Sequence, residues 1–347
     1  MSNKNLLSGR DKELQELAEQ YEAAMAENKP FYQDADELAD LADWYGTKKR
    51  YDKAFEIAEY GLKLHPDSTE LMIEYAYLHL DNGKKAKARE IIENLPDTYS
   101  PEAKVVRAHL LLSEGKLDDA EQLLDTIEDK ADLANVVDVS YMYLDMGYPD
   151  KALAWLDPVK EEYSDEEAYI AVVADCLYGK GMTEEAIPLY NRLIDMNPYS
   201  APYWFGLARC HFEEMNFNQA IDACDYALVG DDEFADAYVM KGHCFYQLGN
   251  EDAALEYYQK AEELHGLAPE FIYTYIGLCK VSKGEWKEGY ENLEKAILEN
   301  ETDEIASPIL PSLYANAGLC LSKMGKKRKA HQYCKKAHKL SPEEPES

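Results

Sequence analysis

Small residues recur along the chain in two columns. The first holds Ala54, Ala88, Ala120, Ala152, Ala186, Ala220, Ala254, Gly289 and Ala330, at steps of 34, 32, 32, 34, 34, 34, 35 and 41 residues. The second lies twelve residues earlier in every case, at Ala42, Ala76, Ala108, Ser140, Ala174, Ala208, Gly242, Gly277 and Gly318. Between the columns, five residues before the first, stands Gly83, Gly115, Gly147, Gly181, Gly249, Gly284 or Gly325, replaced only by Lys49 and Met215. Ahead of that glycine, apolar residues fall at i, i+3, i+4 and i+7, as in Ile170, Val173, Ala174 and Leu177, or Trp204, Leu207, Ala208 and His211. This is one face of an α-helix. After it, Ala186, Tyr190 and Leu193 repeat the same logic. Each repeat therefore predicts two antiparallel helices joined by a tight glycine turn. The small columns mark where the pair crosses, since axes near the low end of roughly 8–10 Å leave no room for larger side chains.

With a proline twelve residues past the first column at Pro66, Pro198 and Pro342, these units resemble tetratricopeptide repeats. The stretch Ala201 to Phe234, with Trp204, Gly206, Leu207, Ala208, Phe217, Ala220 and Ala227, is the nearest to the family pattern, and the resemblance covers about residues 35 to 344. It implies an all-α, right-handed α-solenoid of about nine helical hairpins, with the first helix of each lining a concave groove. The expected organisation is an N-terminal capping helix in 1–34, eight tandem repeats in 35–302, a proline-containing connector in 303–310, and in 311–347 a ninth repeat with a basic terminal helix and an acidic tail. Asp11 to Asn28, with Leu14, Leu17, Tyr21 and Ala24 on one face, supplies the cap that a solenoid end requires. Departures cluster in the second to fourth units. There Lys104 and Arg107 replace apolar residues, Pro96 ends one helix early and Pro158 kinks another, so irregular packing is expected.

Charge narrows the partners. Among 347 residues, 36 Lys and Arg face 68 Asp and Glu, a net charge of −32 that repels phosphate backbones and anionic membranes. Neither nucleic acid nor membrane is an expected partner. No segment has the length of a signal peptide or membrane helix, and a soluble, cytoplasmic protein is expected. Seven cysteines without a CxxC pair fit a reducing compartment. Cys176, Cys210, Cys244, Cys279 and Cys320 share one column with Trp44, Leu78, Leu110 and Met142, which marks it as packing rather than metal or disulfide chemistry. Cys224 and Cys334, four residues after their anchors, are positioned to face Cys210 and Cys320. Nucleotide-binding, zinc-protease and hydrolase motifs are missing and the eight histidines are dispersed, so neither catalysis nor a metal or cofactor is expected.

Candidate binding residues sit on the other face of each first helix, a placement taken from the resemblance. In the first half these columns hold Asp36, Asp40, Asp43, Glu70, Glu74, Tyr77, Asp81, Asp138, Tyr141, Asp145, Asp175 and Tyr178, an acidic strip with tyrosines. In the second half they hold Phe205, Arg209, Phe212, His243, Tyr246, Phe271 and Tyr275, which are mostly aromatic. Rigid rings anchor interfaces and carboxylates steer basic side chains. The lysine and asparagine clamp by which chaperone-binding repeats of this family hold a C-terminal carboxylate is absent from its columns, which hold Phe205, Arg209, Met240, Phe271 and Tyr275. Lys326, Lys327, Arg328, Lys329, Lys335 and Lys336 lie in a terminal stretch, 323–339, that has eight cations and no acid, a candidate surface for self-association or an acidic partner. The expected function is a non-catalytic protein-interaction scaffold or adaptor that holds a protein or peptide segment with basic and apolar side chains. The alternatives are a co-chaperone or secretion-type chaperone for unfolded clients and an intracellular peptide- or ligand-binding regulator.

Overall fold

The computed structural model describes residues 11–27, 29–264, 268–300 and 308–341, and every regular element among them is helical. Two compact units divide the chain, residues 1–198 and 199–347. The first holds α1 (Asp11–Ala26), α2 (Ala35–Thr47), α3 (Tyr51–Leu64), α4 (Thr69–Asp81), α5 (Lys85–Glu93), α6 (Pro101–Ser113), α7 (Leu117–Leu124), α8 (Leu133–Asp145), α9 (Pro149–Leu156), α10 (Lys160–Tyr163), α11 (Glu167–Gly179) and α12 (Thr183–Met196). The second holds α13 (Ala201–Glu213), α14 (Phe217–Gly230), α15 (Ala235–Gln247), α16 (Glu251–Glu263), α17 (Pro269–Ser282), α18 (Trp286–Asn300), α19 (Leu310–Lys323) and α20 (Lys327–Leu340). From α2 onward, apart from the four-residue α10, successive helices pair as hairpins, and each unit is a stack of them.

The small columns hold each hairpin together. Ala54, Ala88, Ala120, Ala152, Ala186, Ala220 and Ala254 are fully buried, as are Ala42, Ala76, Ala108, Ser140, Ala174 and Ala208. At Gly242 the crossing is tighter still: a Cβ there would lie 2.5 Å from the Tyr258 ring. The seven turn glycines all have φ between 68° and 77°, the left-handed region that suits glycine. Lys49 and Met215 adopt the same turn at φ 59° and 58°, with the same two hydrogen bonds closing it, for example Met215 N–H to the Phe212 carbonyl at 2.9 Å and Asn216 N–H to the His211 carbonyl at 2.8 Å. Tertiary packing of the hairpin thus dictates the turn even where the residue resists it.

The departures in the first unit have identifiable causes. Helix α5 has nine residues and α7 eight, against thirteen or fourteen in α14 and α16, so backbone carbonyls near their ends need other donors. Lys104, only 9% exposed, donates from Nζ to the Thr126 carbonyl at 2.9 Å just past α7, and Arg107 donates to the Ile92 carbonyl at 3.3 Å in α5 and the Thr98 carbonyl at 3.4 Å beyond it. The two cations that break the apolar pattern therefore complete the shortened helices. Pro158 ends α9, and the chain continues through a single 3-10 turn, Asp157–Val159, into α10. Pro188 sits inside α12, which runs on past it.

Helix α1 lays Leu14, Ala18 and Tyr21 onto Leu38, Leu41 and Tyr45, with Tyr21 bonded to Glu56 at 3.1 Å and Tyr45 to Glu22 at 2.9 Å. Six of the seven cysteines are fully buried, and all seven are free thiols. Burial pushes the Cys176, Cys244 and Cys279 thiols up to about 12, so they pack as apolar groups. Cys224 is influenced by Cys244, while the exposed Cys334 lies beside Gly318. Most of the expected connector, 303–307, and the acidic tail from 342 onward lie outside the described residues.

Candidate functional site

In the first unit, the inner faces of α2, α4, α6 and α8 enclose a cavity of about 340 Å³. Its walls carry Asp36, Asp40 and Asp43 from α2, Glu70 and Glu74 from α4, Glu102 from α6, Asp138 and Asp145 from α8, and Asp97 from the loop before α6. No lysine or arginine is among the described residues that line it. Five candidates from the sequence, Asp43, Glu74, Tyr77, Tyr141 and Asp145, come together here. Tyr178 on α11 is half-buried and not part of this lining.

One column, eleven residues before each anchor, builds the floor of the cavity. Asp43, Tyr77, His109 and Tyr141 follow one another along it, and all four are less than a tenth exposed. Ile73, Val105 and Met142 lend the floor apolar surface. The Tyr77 ring lies 5.7 Å from the His109 ring, and Tyr141 donates to Asp175 at 3.4 Å, which also accepts from Tyr190 at 2.7 Å. Burial pushes His109 down to about 4, leaving it neutral at physiological pH. Burial raises Asp145 to about 6, with the charges of Asp81 and Asp175 adding to it, and Asp81 is also raised by burial. Although the Asp145 side chain reaches solvent, the wall around it strips water from the carboxylate and adds like charge, and these two effects disfavour its charged form. His109 belongs to the same column as three of the expected residues and is the member that reading the histidines as dispersed passes over.

In the second unit the equivalent positions close on one another. The Phe205 ring meets Phe234 edge-on at 5.3 Å and carries the Arg209 guanidinium 5.6 Å above it. Phe212 packs on Phe217 at 5.5 Å and on His243 at 6.3 Å. His243 shares a 2.8 Å hydrogen bond between Nδ1 and the Tyr258 hydroxyl, and Tyr275 stacks on Tyr258 at 5.1 Å. Tyr246 is half-buried in the same cluster. On α20, Lys327, Arg328, Lys329 and Lys335, with Lys326 at its cap, are exposed and enter no ion pair among the described residues; Lys336 donates to the Tyr314 hydroxyl at 3.0 Å. Among the described residues no group of three or more His, Cys, Asp or Glu is placed to hold a metal ion, and no helix is long and apolar enough to cross a membrane.

Sequence models of tetratricopeptide repeats match residues 47–108 and 311–344, and a model of subunit 3 of the anaphase-promoting complex, or cyclosome, matches 179–261. No curated protein gives a significant match. Among solved structures, the human IFIT1 dimer with PPP-AAAA superposes with a TM-score of 0.53 at 14% identity, over 88% of this chain and 83% of that one. The APC/C hetero-tetramer Cut9-Hcn1 does so with a TM-score of 0.50 at 15% identity, over 90% and 82%. At such identities the likeness is one of fold. The repeated small columns, the left-handed turns and the matching repeat models agree: the chain is a tetratricopeptide repeat protein.

Proposed function

We propose that the protein is a non-catalytic interaction scaffold whose first unit holds an extended segment of a protein partner, through basic side chains, in the acidic cavity. Repeats of this family are protein-interaction scaffolds, and the question for this chain is which surface it uses. The observation that carries the reading is the cavity itself. Nine carboxylates surround a space of about 340 Å³ floored by Tyr77, Tyr141 and apolar side chains. That volume lies at the small end of the roughly 300–1,000 Å³ of ligand sites and suits one strand of chain rather than a folded surface. The carboxylates raise the local concentration of cationic segments, and the rings supply contact area.

The aromatic cluster of the second unit serves in this reading mainly to hold its own hairpins together, and the cationic face of α20 is a second, independent contact for acidic surfaces or another copy. Affinity capture from a lysate with the wild-type chain and a Glu74→Gln, Asp138→Asn, Asp145→Asn variant tests the proposal. Partners retained by the wild type should be lost by the variant while circular dichroism shows unchanged helicity. Equal retention would remove the cavity from consideration.

A further inference from the structure

His109 separates this cavity from the rest of the acidic surface. It lines the cavity at 7% exposure, touches the Tyr77 ring, and makes no hydrogen bond among the described residues. Buried polar groups are ordinarily hydrogen-bonded. The same column in the second unit shows how such a ring is satisfied internally: His243 is closed off by the Tyr258 hydroxyl at 2.8 Å and by the Tyr275 ring at 4.5 Å. His109 instead lines the cavity, where a neutral imidazole offers one acceptor nitrogen.

The carboxylates limit what can meet that nitrogen. They are distributed over α2, α4, α6 and α8 and do not converge on a point, and no cluster among the described residues is fit for a metal ion. A compact ion is therefore a poor match, whereas a planar cation with donors pointing in several directions can reach acceptors on separate helices at once. A guanidinium has five such donors, keeps its charge at every physiological pH, and sheds water more readily than an ammonium. Its flat face also packs on tyrosine rings.

We propose that the cavity reads arginine, with the guanidinium of an extended partner segment held between the carboxylates of α4 and α8 and the free ring nitrogen of His109. This rests on the scaffold reading above and names what the scaffold selects. His109 is the specificity-determining residue: the carboxylates attract lysine and arginine alike, and the neutral acceptor rewards only the cation with donors left over.

Fluorescence anisotropy with three labelled peptides, identical except for two positions filled by arginine, lysine or citrulline, is the test. The arginine peptide should bind about tenfold tighter than the lysine peptide, as one added hydrogen bond to a charged group allows, and citrulline should not bind. His109→Phe should lower arginine affinity about tenfold and leave lysine affinity unchanged, with His109→Gln restoring the preference by returning an acceptor. Should His109→Phe fail to fold, the wild-type peptide series decides alone. Equal arginine and lysine affinities would overturn the proposal, as would a His109→Phe variant that keeps the preference or spermine displacing the arginine peptide at lower concentration. Binding seen only after Lys4 and Arg10 are changed to serine would assign the cavity to residues 1–10 of this chain, which hold those two cations and no acid, and would also overturn it. An arginine peptide that does not bind, alongside partner capture that still depends on Glu74, Asp138 and Asp145, would sink this inference and leave the scaffold reading intact.

Discussion

The two units place the same helical column in opposite service. In the first, Asp43, Tyr77, His109 and Tyr141 line a cavity of about 340 Å³. In the second, Arg209 lies over Phe205, and His243 is bonded to Tyr258 and packed against Tyr275. Helix geometry is shared, so the difference comes from the residues around the column. Acidic side chains on α2, α4 and α8 leave a cavity, whereas rings on α13, α15 and α17 pack on one another and on Tyr258 of α16. A column in a repeat protein lines a cavity or fills a core according to what flanks it.

The largest way to break that contrast is to open the second unit. Tyr258 is 1% exposed, bonded to His243 and stacked on Tyr275, so Tyr258→Ala should lower stability by about 3–5 kcal/mol in urea unfolding. Tyr141→Ala, at the wall of an existing cavity, should lower it by less. Equal losses would mean that the first unit is packed as tightly as the second. Overpacking a crossing should show no such asymmetry: Ala120→Leu and Ala220→Leu, both at fully buried positions, should each lower stability by about 1–3 kcal/mol.

Smaller effects sharpen the comparison at the turns. Met215→Gly in the second unit and Lys49→Gly in the first relieve a left-handed residue, offset in part by the greater freedom of glycine when unfolded. Melting should show a net gain of about 0.5–1 kcal/mol for each.

Acidity separates the units most finely. His109 and His243 are both held near 4, below the ordinary histidine value, so each withholds a proton in the native state that the unfolded chain takes up. Both contributions are present at neutral pH and are lost as pH falls from about 6.5 towards 4. Asp145 runs the other way: with its carboxyl raised to about 6, the native state binds the extra proton, and stability falls as pH rises from about 4 through 6. Asp145→Asn should therefore raise the melting temperature at pH 7 and leave it unchanged below pH 4. A gain independent of pH would contradict the assigned cause.

The hairpin architecture was legible because tight helix crossings tolerate so few side chains that Ala, Ser and Gly must recur, and Ala220 or Gly242 can be picked out from the sequence without any coordinates. The turns were legible through their glycines, although Lys49 and Met215 show that the conformation belongs to the packed hairpin and not to the residue. Lys104 and Arg107 read as faults in an apolar pattern, since a sequence does not show which distant carbonyls need donors. The acidic strip was legible as a strip. Its contraction to a cavity was not, because that depends on Asp97 in a loop and on the size of the side chains opposite. His109 carried a signal in its column number, obscured by the scatter of the other histidines.

The sulfur distribution gives the chain an internal clock. Cys334, on α20, is the one exposed thiol among seven, and the other six are sealed inside hairpins of both units. A maleimide dye added to native protein should therefore label a single position quickly, and each later increment of mass should time the opening of a particular helical pair.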